Sequence, residues 1–452
     1  RQRPTSPLLE AASPVSEWPP KMKAARPFVL SAHGLRASVR GLTSVPSLAA
    51  IALTAPAKKA VQRPSFAVRA LSSTAPPPLP DSMKAVVWRG DPDPSKMRVE
   101  TLAMPKPKKD EVLVKVKACG VCHTDLHCIK GEVPFPSPAV FGHEISGEVV
   151  ACGDGVDIEP GTRVACPFIM PCGTCNFCEA GEEDTCGPFF SLNRLKGHLY
   201  DDTTRLFSPA GEHVAMYSFG GLAEYAVVPK TAVFPLPRSL ADTLYAESAI
   251  LGCGFFTAFG AIRNAAQMEP GQTTCIIGCG GVGGCLLQLL RSKGTPLIIA
   301  VDVSEGALEQ AKALGAHHTI NPATQDVVKE IEAITGGRKV DVCFEVIGLK
   351  QTFEQAVMSV RDGGKACYVG IADVKTRAEV PITHVVRRRI SLVGSYGARA
   401  SQDMPELLDI AASGDLDLAG GITRRFSLEE ASEAYRLLAD RQIVGRAIVN
   451  IG

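Results

Sequence analysis

The 452-residue sequence contains no run of about 18 apolar residues, so no segment is expected to cross a bilayer as a helix. It has no cysteine before Cys119. Acidic residues are scarce in the first eighty positions, which hold 11 Lys and Arg against 2 Asp and Glu. The whole chain has no large excess of either sign, with a formal net charge of +1. The remainder carries 37 basic and 45 acidic residues, a net of −8, which excludes the basic footprint of a nucleic-acid-binding protein. No internal repeat is present. With 45% apolar and 21% charged residues the chain is neither mainly disordered nor fibrous. At about 100–200 residues per domain, its length implies two or three domains.

The acid-poor leading stretch is rich in Ala, Ser, Pro and Arg, the composition of an organelle transit peptide. Residues 1–82 are therefore expected to be a transit peptide and a Pro-rich linker, addressed to the chloroplast or, alternatively, to the mitochondrion. Met22 is an alternative start, and Val68-Arg69-Ala70 resembles the V-x-A processing site of algal chloroplast precursors. The competing reading is a tail with no address.

From Met83 the sequence reads as short strands and turns, with strands expected at Ala85–Trp88, Glu111–Ala118, Ile145–Ala151 and Tyr225–Phe234. Near Gly252 the texture changes. Apolar runs at Thr274–Ile277, Leu297–Asp302, Val340–Val346, Ala366–Val369 and Ile390–Gly394 alternate with helical stretches at Gly281–Lys293, Ser304–Gly315, Gln325–Thr335 and Thr352–Val360. That alternation predicts a doubly wound parallel sheet. In the tail, Pro405–Ala412 and Ser427–Arg441 read as helices and Arg446–Ile451 as a strand returning to the first domain. The expected division is 83–253, 254–394 and 395–452.

Gly278-Cys279-Gly280-Gly281-Val282-Gly283 fits G-x-G-x-x-G between a strand and a helix, and Asp302 ends the next apolar run. Gly278 permits a tight turn, Gly280 admits a pyrophosphate, and Gly283 lets the helix pack closely on the strand. A carboxylate at Asp302 would bind ribose hydroxyls and repel a 2′-phosphate, so NAD is expected over NADP.

Nine of the 15 cysteines fall between Cys119 and Cys186. Cys172, Cys175, Cys178 and Cys186 lie within fifteen residues, enough to close a tetrahedral structural zinc shell. An iron–sulfur cluster and a disulfide-laced loop are the alternatives. A second, scattered set comprises Cys122 in Cys122-His123-Thr124-Asp125-Leu126-His127, His143 beside Glu144, and Cys253 between two glycines. Two thiolates and an imidazole would leave a fourth position open, as in a catalytic zinc site.

In order and content, these motifs resemble the zinc-dependent medium-chain alcohol dehydrogenases, in their long-loop branch, from about Met83 to Gly452. The resemblance implies an α/β protein, with a GroES-like, mostly-β catalytic domain and a doubly wound parallel-sheet Rossmann coenzyme domain. It implies that Cys122, His143 and Cys253 ligate catalytic zinc, with Glu144 able to approach the ion and Asp125 orienting a ligand imidazole. Thr124 and His127 would form a proton relay, while His123 and Arg446 would contact the coenzyme pyrophosphate. Phe168 and Ile371 would line the substrate and nicotinamide pockets. Two departures stand out. Ala307 replaces a lysine that several members carry near the adenosine ribose. Val133 replaces the aspartate that glutathione-dependent formaldehyde dehydrogenases carry, although Glu132 is adjacent.

The expected activity is zinc-dependent hydride transfer between a primary or aromatic alcohol and NAD, with two zinc ions per chain. The expected partners are a small alcohol or aldehyde and a second copy or more of the chain, as dimer or tetramer, with neither nucleic acid nor membrane. Alternatives are a polyol or threonine dehydrogenase, whose relatives place a carboxylate where Cys253 stands, and a glutathione-adduct dehydrogenase. Zinc-free quinone reductases lack these ligands. A non-catalytic zinc–thiol redox sensor would have no use for the coenzyme fingerprint.

Overall fold

The computed structural model describes residues 78–452. The expected transit peptide, start and processing site lie outside the described residues. Among these residues no helix is long and apolar enough to cross a membrane.

Strand Glu111–Val121 is the hub of the first half. It pairs antiparallel with Ile145–Cys152, with Tyr225–Pro229 and with the C-terminal strand Arg446–Asn450. The tail thus closes a seven-stranded sheet begun more than 300 residues earlier. A separate five-stranded sheet is built on Ser82–Trp88 and Arg98–Ala103.

The coenzyme-type sheet has six parallel strands. Across the sheet they run His318–Ile320, Ile298–Val301, Thr274–Ile277, Val340–Glu345, Val360–Tyr368 and Ser391–Gly394. This is the order 3-2-1-4-5-6, which opens a crevice at the carboxyl ends where the order reverses. Thr274–Ile277, Ile298–Val301 and Val340–Glu345 are buried along their whole length, the reason they read as continuous apolar runs. Helix Glu305–Leu314 is capped by Ser304, which accepts from the Ala307 N–H, and stopped by Gly315 at φ 118°.

Some expected elements differ. Tyr225–Phe234 is not one strand: it ends at Pro229, which has no N–H to continue a ladder, and Phe234–Pro235 pairs separately with Arg163–Cys166. The helix expected from Pro405 starts at Ala400, anchored where Asp403 accepts from the Arg399 N–H at 2.7 Å and from Asn264 Nδ2 at 2.7 Å. Ser427–Arg441 contains a shorter helix, Ala431–Ala439, preceded by a strand, Ile422–Ser427. Helix Gly254–Gly260 was not expected at all; every residue in it is buried, so it has no amphipathic period.

Candidate active site

Three separated segments meet at one buried point. Cys122 caps helix His123–Ile129 at the end of strand Glu111–Val121. His143 and Glu144 lead into strand Ile145–Cys152. Cys253 stands at the start of helix Gly254–Gly260. The ligand atoms of Cys122, His143, Glu144 and Cys253 all lie within 4.8 Å of one another. Local backbone makes this possible: Gly142 holds φ 94°, and a Cβ there would come 2.7 Å from the Cys119 sulfur and the Leu222 amide.

The donor set fits a single zinc ion. The Cys122 and Cys253 sulfurs are 3.9 Å apart. Two thiolates on a tetrahedral ion, each about 2.3 Å from it, lie about 3.8 Å apart. His143 Nδ1 is 2.8 Å from Asp125 Oδ1, and Asp125 Oδ2 accepts from the Tyr435 hydroxyl at 2.7 Å. His143 Nε2 is buried with no hydrogen-bond partner and sits within the same cluster as the two thiols. An unsatisfied buried imidazole nitrogen is costly unless a cation takes its lone pair. The hydrogen bond from Cys253 holds the Cys122 thiol well below its ordinary range, which favours the thiolate a metal needs.

Glu144 is wholly buried and forms an ion pair with Arg446, leaving its other carboxylate oxygen unpartnered. Burial pushes its carboxyl up to about 7, against the pull of Arg446. Arg446 also passes beneath the glycine loop: a Cβ on Gly281 would lie 2.8 Å from Arg446 Cδ. One guanidinium therefore touches both the ligand cluster and the loop expected to cradle the coenzyme.

At that loop, Gly278 takes φ 106° at the end of strand Thr274–Ile277, and a side chain on Gly283 would strike the Gly278 carbonyl. Gly280 has open space at its missing Cβ, and Val282 is half-buried on the first turn of helix Gly281–Ser292. Asp302 is half-buried, accepting from the Cys279 N–H at 2.8 Å and the Ser304 N–H at 2.9 Å. Ile371 packs its backbone against Gly348, whose own N–H donates to Glu345 at 2.8 Å. Glu345, buried and bonded also to the Ile347 N–H and the Thr352 hydroxyl, shapes this rim and went unnoticed in the sequence.

The remaining expected residues sit on the helix after Cys122. Thr124 Oγ1 is 3.5 Å from the Cys122 sulfur. His127 Nδ1 is hydrogen-bonded to Glu132, and among the described residues no hydrogen bond joins it to Thr124. His123 is exposed at the first turn. The Phe168 ring stands edge-on to His143 at 5.9 Å, as does Tyr217 at 5.7 Å.

The four-cysteine lobe assembles separately. Sulfur–sulfur distances are 3.6 Å for Cys175–Cys178, 3.9 Å for Cys175–Cys186 and 4.0 Å for Cys172–Cys178. These are again the spacings of thiolates around one ion; thiolates bound to different irons of a cluster would stand farther apart. All four cysteines are free, so the disulfide alternative is absent from the structure. Burial tends to raise Cys175, but the Cys178 amide and neighbouring thiols outweigh it and bring it down to about 6.

Residues 108–238 match the alcohol dehydrogenase GroES-like domain, and residues 281–413 match the zinc-binding dehydrogenase domain. An S-(hydroxymethyl)glutathione dehydrogenase of Escherichia coli O1:K1 is 30% identical over 347 residues, covering 76% of this chain and 93% of that protein. The solved structure of benzyl alcohol dehydrogenase from Acinetobacter calcoaceticus is similar at a TM-score of 0.75 and 28% identity, covering 82% of this chain and 99% of that one. An alcohol dehydrogenase zinc-binding domain protein from Burkholderia ambifaria gives a TM-score of 0.76 and 29% identity over the same shares. Fold, ligand sets and relatives together define a zinc-binding oxidoreductase. The chain belongs to the zinc-dependent medium-chain alcohol dehydrogenase family. The expected fold class, a GroES-like domain with a Rossmann domain, is the one found.

Proposed function

We propose that the protein transfers a hydride between a primary or aromatic alcohol and NAD, using one catalytic and one structural zinc. The observation that carries this reading is the unpartnered Nε2 of His143, buried in one cluster with the Cys122 and Cys253 sulfurs. Zinc there supplies Lewis-acid polarisation of an oxygen, and NAD supplies the hydride acceptor.

The chain's own residues do the rest. Asp125, fixed by Tyr435, holds the His143 ring so that Nε2 faces the thiols. Thr124 Oγ1, beside Cys122, would take the alcohol proton while giving up its own, and His127, oriented by Glu132, would release a proton to water, with a hydroxyl of the nicotinamide ribose as the link between the two. Asp302 takes the adenosine ribose hydroxyls; Arg446 and His123 face the pyrophosphate; Phe168 and Ile371 bound the substrate and nicotinamide. Glu144 stands ready to approach the ion. Cys172, Cys175, Cys178 and Cys186 hold the second ion and contribute to folding.

The test is NAD reduction by the zinc-loaded protein across aliphatic, aromatic and terpenoid alcohols and S-hydroxymethylglutathione. Turnover of benzyl alcohol is expected. Preference for the glutathione adduct would replace this reading with the activity named for the Escherichia coli relative.

A homo-oligomer, dimer or tetramer, is part of the proposal. Strand Ser391–Gly394 ends the parallel sheet with Leu392 exposed, and the nearby helix Ile382–Arg388 exposes Ile382 and Val386. Light scattering that gives a monomer mass would remove this part. No nucleic acid or membrane partner is proposed.

A further inference from the structure

The segment between the cysteine lobe and strand His213–Met216 places two adjacent buried side chains, Asn193 and Arg194, at the end of the π-helical turn Phe189–Arg194. Such wide turns are rare and recur at functional sites. Both side chains act on Tyr217. Asn193 Nδ2 donates to the carbonyls on either side of it, Met216 at 3.2 Å and Ser218 at 2.8 Å, and Asn193 Oδ1 accepts from the Ser218 N–H at 2.9 Å. Those bonds hold Ser218, fully buried, in left-handed backbone at φ 53°, a strained conformation for a residue with a side chain. The Ser218 hydroxyl in turn donates to the Phe168 carbonyl at 3.0 Å.

Arg194 acts on the rings themselves. It is 8% exposed, and among the described residues its guanidinium nitrogens have no hydrogen-bond partner. Its guanidinium carbon lies 4.0 Å from the Tyr217 ring centre, 4.7 Å from Phe189 and 5.5 Å from Phe168. Tyr396 approaches it too, and stands edge-on to Phe168 at 5.5 Å. A guanidinium is attracted to ring faces, more strongly where water is excluded, and a ring that turns away loses that attraction. Tyr217 and Phe168 are the same rings that stand edge-on to His143. Asp125 grips His143 at Nδ1 alone, and one hydrogen bond leaves an imidazole free to tilt about it. The two aromatic rings remove that freedom.

We infer that Arg194 and Asn193 are positioning residues for His143: through Tyr217 and Phe168 they fix the tilt of the imidazole, and with it the direction of the Nε2 lone pair. The inference rests on the zinc reading above and extends it to residues that touch neither the ion nor its ligands. A buried cation without an anion does not add to stability, and an apolar side chain of similar size in place of a buried charge is often neutral or stabilising. Positioning and packing therefore predict opposite results. Removing a positioning charge weakens the ion and spares the fold, whereas removing a side chain that only packs weakens the fold and spares the ion.

The test measures the zinc affinity of each site by competition with a chelator, together with the melting temperature of the zinc-loaded chain. Arg194→Met should weaken the ion at Cys122, His143 and Cys253 by about threefold to tenfold, less than the loss of a direct partner of a ligand. The lobe ion should be unchanged and the melting temperature equal or higher. Arg194→Lys, which keeps a cation over the rings, should recover part of the affinity. Unchanged affinity in Arg194→Met, equal weakening of both ions, or a lower melting temperature overturns the inference while the zinc reading stands. A wild-type chain that takes up zinc only at the lobe removes the zinc reading and this inference with it. Should the arginine variants fail to fold, Ser218→Gly decides, because glycine suits φ 53° while the hydroxyl that holds Phe168 is lost. Weakening of the same ion by about twofold to fivefold, with the lobe ion intact, supports the inference, and unchanged affinity overturns it.

Discussion

The two thiol clusters use the same ligand chemistry under opposite conditions. Cys172, Cys175, Cys178 and Cys186 come from one short stretch, and three of the four are partly exposed. Their bends are set by glycines in left-handed backbone at Gly173 and Gly181. Cys122, His143 and Cys253 come from three segments and are buried; His143 is held by Asp125, itself fixed by Tyr435, and the neighbouring Glu144 is paired with Arg446. A closed four-thiolate shell can only add folding energy, whereas a three-ligand shell inside a scaffold can afford an open position.

The largest expected effects separate the two. Cys253→Ser should cut turnover by about a thousandfold or more, since the Lewis acid supplies several kcal/mol of the barrier. Its melting temperature should change little. Cys175→Ser should do the reverse, lowering the melting temperature by about 10 °C, because several kcal/mol of metal binding is folding energy at about 2–4 °C each. Calorimetry and steady-state rates on both variants check the contrast, and equal thermal losses would break it. Elemental analysis should find about two zinc ions per chain, falling to about one after mild chelation that abolishes activity without unfolding.

The outer residues of the open site come next. Asp125→Asn and Tyr435→Phe disturb the grip on His143 and should weaken zinc binding there by about tenfold to a hundredfold. The lobe ion should be unaffected. Titration with a competing chelator reads this directly; loss of both ions together would show a general folding defect instead.

That difference in construction also decides what the sequence could reveal. The lobe and the glycine loop are contiguous, so spacing alone exposes them, and Asp302 follows at the end of the next strand. The open site is legible only through resemblance to a family, because no spacing rule joins Cys122 to Cys253. Tyr435 lies 310 residues from Asp125, and Arg446 meets Glu144 only because the last strand pairs with Glu111–Val121. Nothing in the sequence singles out Arg194; only packing shows it buried among the Tyr217, Phe189 and Phe168 rings. Helix Gly254–Gly260 escaped notice for a related reason, since periodicity needs an exposed face.

The coenzyme side sharpens the comparison further. NAD should be used far better than NADP, and Asp302→Gly should narrow that gap by removing a charge that repels a 2′-phosphate. The substitution also removes acceptors for the Cys279 and Ser304 N–H groups, so affinity for both coenzymes should fall. A wild type that prefers NADP would overturn the ribose assignment.

The smallest expected effect concerns the proton path. His127 lies one turn beyond Cys122, is only partly buried, and is hydrogen-bonded to Glu132. An imidazole can take a proton and release it to water near neutral pH. Because solvent can stand in for a terminal base, His127→Gln should slow turnover by only about tenfold, below the roughly 10²–10⁴ that a general acid–base step contributes. Thr124→Ala, which removes the hydroxyl beside the Cys122 sulfur, should cost far more while leaving zinc and NAD binding in place. The rate of His127→Gln should also depend more steeply on pH and on added buffer base, since an external base now does the last transfer. If His127 only packs the loop through Glu132, the variant will instead melt at a lower temperature with an unchanged pH–rate profile. That result in a folded protein would remove His127 from the relay and leave the ligand clusters untouched, because none of their contacts passes through it.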